Sequence, residues 1–396
     1  MKQDIIALGQ RTGFTFFDYQ AEFLEKISSM PKPMRACLYY RTGAGKSLTA
    51  LAAMVLLGYD STVVVCPPST HRQWQELGSL LGIKVGTMSH AKFRGKTTKL
   101  SRQIPIIADE FHLFGGQRGM GWRKLDKLAQ HLDAPLLLLS ATPNYNDVER
   151  CYCVQHVLDP TSIQGGFLQF LYQHCITEQN PFSMTPNVLG FRNYPDAATY
   201  LAALPYVYHL PDNQVFTIEE VPYTAGVPVE MRDYGYDRRN HKMVASVMER
   251  RHTVRYQGLV GEDKLLLPEH LDYILDLLKQ TEGAVMIFAV HSTVIEAASR
   301  TLAVAGVEHT VVTGSTSTQQ KDTILQEFLA GTHKVLLGTA TLATGTDGMD
   351  RVCDTLLILD DTDDDALRRQ LIGRILPRGD YVSVTSKRII RMTPLP

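Results

Sequence analysis

An apolar run, Ala36–Tyr40, leads straight into Arg41-Thr42-Gly43-Ala44-Gly45-Lys46-Ser47, and the helix-length stretch Lys46–Leu57 follows. No other feature of the chain limits its fold so tightly. A glycine-bearing turn between a buried strand and a helix points backbone N–H groups inward at the positive end of the helix dipole, the geometry that cradles phosphate oxygens. In that setting Lys46 would reach the β- and γ-phosphates of a nucleotide and Ser47 would hold Mg²⁺. The widest form of the phosphate-loop pattern has a glycine where Tyr40 stands; Gly45, Lys46 and Ser47 keep their register.

The rest of the chain agrees with a strand–turn–helix origin. Short apolar runs at Thr62–Cys66, Ile104–Ala108 and Leu136–Leu139 read as buried strands, as do Ala284–Val290, Thr310–Val312, Lys334–Leu337 and Thr355–Leu359. Amphipathic stretches such as Trp122–His131, Val294–Ala305 and Gln319–Ala330 separate them. Alternation of this kind predicts an α/β protein with parallel sheets. It occurs twice, on either side of a stretch carrying Pro181, Pro186, Pro195, Pro205 and Pro211. The expected domains are 1–205 and 206–396, the second opening with a strand near Val215–Pro222. With 396 residues and 44% hydrophobic content, the chain can bury two cores. Its formal net charge of −1 argues against coating nucleic acid through bulk positive charge. Six scattered cysteines form no disulfide framework, so a reducing intracellular compartment is expected. Neither a signal peptide nor a membrane span is expected, because no window is long and apolar enough.

Asp109 and Glu110 close the apolar run Ile104–Ala108, with Phe111 and His112 after them. Adjacent carboxylates are costly in a core, and a strand end facing a ligand resolves the cost. Asp109 would hold Mg²⁺ through water, and Glu110 would orient or deprotonate an attacking water. Ser140-Ala141-Thr142-Pro143 follows another apolar run, where small hydroxyl residues could bond the acidic pair.

The order of these motifs resembles that of superfamily 2 helicases over nearly the whole chain. The resemblance implies two RecA-like lobes, each a parallel sheet flanked by helices, with an ATP cleft between them. Asp18-Tyr19-Gln20 looks like the adenine-reading segment, which implies that Gln20 reads the adenine edge and Phe17 stacks nearby. Gly43–Ser47 looks like motif I, with Thr42 just before it also expected at the nucleotide, and Pro67-Pro68-Ser69 with Gln73-Trp74 looks like motif Ia. Asp109–His112 fits the DExH form of motif II, and Ser140–Pro143 motif III. In the second half, Val285–His291 looks like motif IV and Thr339–Asp347 like motif V, with Gly345 and Asp347 in register; Gln370–Arg374 looks like motif VI. A glutamine opening motif VI commonly accompanies DExH in motif II. The resemblance further implies that Pro67, Ser69, Arg72 and Thr87, together with Thr313, Gly314, Thr339 and Thr341, line a nucleic-acid groove. The segments DYQ, PPSTHRQW and GSTSTQQKDTILQEFLAG are most similar to Swi/Snf-type translocases and compact phage helicases that remodel branched DNA.

Motif VI departs from the family. Its second arginine normally stands three residues after the first, but Pro377 occupies that place and Arg378 follows. Gln370 and Arg374 share a helix face, so Arg374 is expected to act as the arginine finger and Arg378 to support it. Cys151, Cys153, His156, His174 and Cys175 lack zinc-site spacing. The acidic run Asp360, Asp361, Asp363, Asp364 and Asp365 reads as solvated charge at a helix start. Arg238, Arg239, Lys242, Arg250, Arg251 and Arg255 form either a solvated helix face or a phosphate-tracking surface. Trp122 and Tyr236 read as packing residues.

The expected activity is an ATP-dependent motor acting on DNA, with ATP and Mg²⁺ as cofactors. An RNA helicase and an ATPase acting on a protein partner are the alternatives. Lys46→Ala is expected to abolish ATP turnover in a protein that still folds, because the β/γ-phosphate cation is lost. Phosphate release measures this, and near-normal turnover would refute the phosphate-loop assignment.

Overall fold

The computed structural model describes the chain except 142–147, 164, 181–184, 211–215, 225–229, 238–241, 250–257, 344–347, 363–364, 377–386 and 396; within 230–249 and at 318 and 365–366 it describes the backbone alone. The chain divides into two compact units, Met1–Asn213 and Gln214–Pro396.

The first unit opens with helices α1 (Lys2–Thr12) and α2 (Asp18–Lys26), then β1 (Arg35–Tyr40), α3 (Lys46–Leu56), β2 (Ser61–Val65), α4 (His71–Leu81) and β3 (Lys84–Met88). It continues through α5 (His90–Arg94), β4 (Ile106–Asp109), α6 (Met120–Ala129), β5 (Leu136–Ser140), α7 (Val148–Leu158) and α8 (Gly166–His174). A hairpin of β6 (Cys175–Glu178) and β7 (Asn187–Phe191), then α9 (Ala197–Ala202) and β8 (Val207–Leu210), completes it. The sheet is parallel, in the order β3-β2-β4-β5-β1-β8. Residues alternate across it. Cys37, Tyr39, Leu136 and Leu138 pack with Trp122 and Leu125 on one face, while Leu38, Tyr40, Leu137 and Leu139 pack with Phe23, Leu51 and Met54 on the other. Coverage on both faces is why these strands read as unbroken apolar runs. The unit extends past the expected division at 205/206 because Val207–Leu210 adds to the edge of β1.

The second unit begins with β9 (Ile218–Thr224) and an antiparallel hairpin of β10 (Glu230–Asp237) and β11 (Lys242–Glu249). Then come α10 (Pro268–Gln280), β12 (Ala284–Ala289), α11 (Ser292–Val304), β13 (Thr310–Val312), α12 (Thr318–Leu329) and β14 (Val335–Gly338). It ends with α13 (Met349–Val352), β15 (Cys353–Asp360), α14 (Asp365–Ile375) and β16 (Arg388–Leu395). Its parallel sheet runs β13-β14-β12-β15-β16-β9. Val285 and Ile287 face one core, Met286 and Phe288 the other. Around Lys242 the chain is strand and not the solvated helix face that was one of the two readings of its cations, because 242–249 pairs with 230–237 across a reversal. Arg238, Arg239, Arg250, Arg251 and Arg255 lie outside the described residues.

Gly338, the last residue of β14, has no room for a side chain: a Cβ there would stand 2.6 Å from the Val312 carbonyl oxygen and 2.6 Å from Leu342 Cγ. Gly338→Ala should therefore destabilise the protein by about 1–3 kcal/mol through overpacking. Urea denaturation followed by circular dichroism checks this, and an unchanged midpoint would contradict the packing described.

Candidate active site at the strand ends

Both sheets place their functional segments after the carboxyl ends of parallel strands, the usual ligand edge of such sheets. After β1, Gly43 (φ 78) and Gly45 (φ 70) adopt left-handed conformations that turn the loop into the start of α3. Gly45 is doubly required, since a Cβ there would lie 2.4 Å from Gln20 Nε2. Lys46 Nζ donates to the carbonyls of Tyr40 (3.0 Å) and Arg41 (3.2 Å), so the loop holds its own cation. Arg41 Nη1 is buried in the same loop with no hydrogen-bond partner among the described residues, a donor that fits a phosphate oxygen. Thr42 and Ser47 are half-buried, Ser47 in the first turn of α3.

The segment before the loop is bolted to it. Gln20 is buried; its Oε1 accepts from the Phe17 N–H (3.0 Å) and its Nε2 donates to the Ala44 carbonyl (3.2 Å). Tyr19 Oη donates to that carbonyl too, at 3.0 Å. Phe17, partly exposed, stacks on the Tyr19 ring with centroids 5.7 Å apart. The role of Tyr19 was not apparent from the sequence, because its partner lies 25 residues away.

After β4, Asp109 is buried, and its carboxylate accepts from Trp74 Nε1 (3.2 Å) and from the Glu110 N–H (3.0 Å). Burial pushes its pKa well above the ordinary carboxylate range; the Glu110 charge adds to this and the Lys46 ammonium opposes it. Glu110 takes a left-handed conformation (φ 48), which strains a non-glycine residue at a cost of about 1–3 kcal/mol. Its Oε2 lies 3.3 Å from His112 Nδ1, and that nitrogen lies 3.1 Å from Ser140 Oγ. The hydroxyl at the end of β5 thus touches the acidic segment through His112. Thr142 and Pro143 lie outside the described residues. Behind the pair, buried His90 donates from Nε2 to the Asp109 carbonyl at 3.0 Å; desolvation lowers its pKa to about 4, which keeps the ring neutral. Trp74 and His90 are partners of the pair that sequence reading did not assign.

The residues expected to meet nucleic acid sit at the carboxyl ends of strands within each unit. Pro67 and Ser69 follow β2, and Thr87 lies near the end of β3, its hydroxyl accepting from Gln75 Nε2 at 3.3 Å. Arg72 pairs with Glu76 at 2.6 Å in an exposed ion pair, an interaction weak enough to exchange for another anion. In the second unit Thr313, Gly314 and Ser315 follow β13, with Thr313 Oγ1 2.8 Å from Ser315 Oγ. Thr339 and Thr341 follow β14, and Thr341 Oγ1 donates to the Val312 carbonyl at 3.4 Å.

The second unit arranges two cations on one turn. Arg374, on α14, donates through Nε (2.9 Å) and Nη2 (2.7 Å) to the Ala343 carbonyl. Lys321, on α12 and buried, donates to the Thr341 carbonyl at 2.6 Å. Desolvation, with the Arg374 charge adding, lowers the Lys321 pKa to about 8. Gln370 is buried on the same helix as Arg374, and the helix ends at Ile375, just before Pro377. Gly345, Asp347 and Arg378 lie outside the described residues. Asp360 and Asp361 are more than solvated charge. Asp360 accepts from His291 Nδ1 at 2.6 Å, while Asp361 holds Arg368 at 3.0 Å and Arg391 at 3.2 Å. Cys151, Cys153 and Cys175 are buried in the first core, and Trp122 packs there too.

Each unit is thus a parallel sheet flanked by helices, and the first carries a glycine-bearing loop and an acidic pair at its strand ends. Residues 268–378 match the helicase conserved C-terminal domain. Solved structures share the fold. The Dbp5 protein of S. cerevisiae bound to RNA and ADP BeF3 superposes with a TM-score of 0.60 at 15% identity, covering 99% of this chain and 88% of that one. A variant of Dbp5 bound to the Gle1 protein and IP6 gives 0.53 at 16% identity, covering 99% and 86%. No curated protein matches the chain by sequence. Residues 268–378 thus carry a domain of the helicase C-terminal type, and the chain as a whole shares the fold of two RecA-like lobes. No helix among the described residues is long and apolar enough to cross a membrane.

The depressed Lys321 pKa makes a pH prediction. The unfolded chain binds this proton up to the ordinary lysine range, the folded chain only to about 8, so stability rises with pH between the two. Lys321→Met removes the titration. The melting temperature of wild type relative to the variant should climb from pH 8 to 10; a constant difference would show that Lys321 is not desolvated.

Proposed function

We propose that the protein is a nucleic-acid motor that couples ATP hydrolysis to movement on duplex or branched DNA. The observation that carries the chemistry is the convergence of Lys46, Asp109 and Glu110 at the ends of two strands separated by one neighbour, in the order β4-β5-β1. The loop N–H groups, Lys46 and Arg41 bind phosphate, and Gln20 ties the adenine end to that loop. The oxygen donors Ser47 and Asp109 suit Mg²⁺, which prefers hard oxygen ligands and would neutralise charge on the phosphates. Glu110, its backbone fixed at the turn and its carboxylate beside His112, positions the attacking water and takes its proton. Arg374 stabilises charge on the transferring phosphoryl group, with Gln370 beside it and Arg378 in support. Pro67, Ser69, Arg72, Thr87, Thr313, Gly314, Thr339 and Thr341 contact the nucleic-acid backbone. Gly345 and Asp347 complete the nucleotide site in motif V.

Likeness of the DYQ, PPSTHRQW and GSTSTQQKDTILQEFLAG segments to Swi/Snf-type translocases favours DNA. RNA is the second reading, favoured by the RNA held in the Dbp5 structure. ATPase rates with single-stranded, duplex and branched DNA, and with RNA, at one low salt concentration separate them. Stimulation by DNA supports the first, stimulation by RNA alone the second, and stimulation by neither overturns the motor. Glu110→Gln should bind nucleotide yet turn over about 100-fold slower, the scale for losing a positioned base. Wild-type turnover in that variant would move the base elsewhere.

A further inference from the structure

Between Ala91 and His131 the chain gathers cations. Lys92, Arg94, Lys96, Lys99 and Arg102 lie on α5 and the segment after it; Arg118, Arg123, Lys124 and Lys127 lie just before and on α6. The same stretch holds three carboxylates. Asp109 and Glu110 belong to the acidic pair, and Asp126 is half-buried, 3.4 Å from His156 Nε2. In a chain whose formal net charge is −1, this is a strong local excess.

The two cationic segments form one surface. Lys124 Nζ donates to the Gly95 carbonyl at 2.6 Å and lies 5.5 Å from the Phe93 ring centroid. Arg94 Cγ would be 3.4 Å from a Cβ on Gly121, so α5 lies directly against α6. A shallow depression of about 220 Å³ joins Thr98 and Arg102 to Lys124, Lys127 and His131. Every cation of the set except Lys124 is exposed. An ordinary solvated face intersperses both signs; here only half-buried Asp126 lies among the cations and exposed Asp133, whose N–H donates to the Arg102 carbonyl at 2.9 Å, lies at their edge, so the like charges repel one another and a polyanion relieves the repulsion.

We propose that this face grips the phosphate backbone of the nucleic acid, as a contact additional to the loops after β2 and β3. The proposal rests on the motor reading above. The exposed guanidinium groups of Arg102 and Arg118 suit paired phosphate oxygens, Arg123 and Arg94 add charge while their Nε atoms hold the Arg118 and His90 carbonyls, and the exposed hydroxyls of Thr97 and Ser101 add donors. Helix α6 has 10 residues and spans roughly 15 Å at about 1.5 Å per residue. At about 3.4 Å of axis per phosphate on one strand, that is room for roughly four phosphates. The face also reaches the acidic pair: Arg94 Nε donates to the His90 carbonyl at 3.2 Å, and the His90 ring donates to the Asp109 carbonyl. A backbone seated on α5 therefore bears on the segment that carries Asp109, a route by which nucleic acid stimulates hydrolysis.

The test combines Lys96→Gln, Lys99→Gln, Arg102→Gln and Lys127→Gln in the full-length protein. Duplex and branched DNA affinities are measured from about 50 to 200 mM salt. The expected result is at least a tenfold weaker affinity at low salt. The slope of log affinity against log salt should drop by roughly three to four, at about 0.9 per lost contact. DNA-stimulated ATPase should fall while basal ATPase stays unchanged. Replacing the same lysines by arginine should preserve the slope. If the fourfold variant fails to fold, Lys96→Gln with Lys99→Gln should still lower the slope by about two. Wild-type affinity and slope in the neutralised variant would overturn the proposal and leave the motor reading standing. Loss of polyglutamate binding with DNA binding intact would overturn it in favour of an acidic protein partner. A wild-type protein that neither binds nor responds to nucleic acid would overturn both.

Discussion

Two neighbouring carboxylates sit at a strand end from which water is largely excluded, and the first unit is arranged around making that tolerable. Burial and the charge of Glu110 both drive protons onto Asp109, and the Lys46 ammonium pulls the other way. Several local choices follow from this balance. Trp74 spends its only donor on Asp109, Glu110 accepts a left-handed backbone that brings its N–H onto the same carboxylate, and His90 stays neutral to donate from behind. Each residue is unremarkable in isolation; together they hold a charge arrangement that an apolar strand end would otherwise reject.

The phosphate loop shows the same dependence from the other side. Lys46 is held by two loop carbonyls, and the loop is held by Gln20 and Tyr19 through the single carbonyl of Ala44. Glycine at 45 is therefore a matter of space as much as of backbone conformation. The glycine-bearing loop and the segment expected to read the base are thereby tied together.

The strands were legible because coverage on both faces leaves them apolar end to end; Leu136–Leu139 and Val335–Leu337 could hardly be anything else. Val207–Leu210 was not assigned to the first sheet because a short edge strand carrying Tyr208 and His209, only partly covered, offers no such run. The hairpin at 230–249 was not read as strand because its charges and small residues give no clear alternation of apolar and polar positions. Of the site, the phosphate loop and the acidic pair were visible as special residues closing apolar runs, and the other motif residues only through their likeness to superfamily 2 helicases. Their partners were not: Trp74, His90 and Lys321 meet their acceptors across 35, 19 and 20 residues, beyond any local pattern. The basic face was hidden for a related reason, since its cations are divided between two segments that only the packing of α5 on α6 unites.

The turn after β14 is pinned by two cations that come from two different helices. Arg374, on α14, bonds the Ala343 carbonyl through Nε and Nη2, and Lys321, on α12, bonds the Thr341 carbonyl. A buried carbonyl stripped of its donor costs about 1–3 kcal/mol, so neither cation leaves the turn cheaply. A pull on either helix is therefore felt at the turn, and a change in the turn is felt at both helices: the second unit has a built-in lever whose arms are α12 and α14.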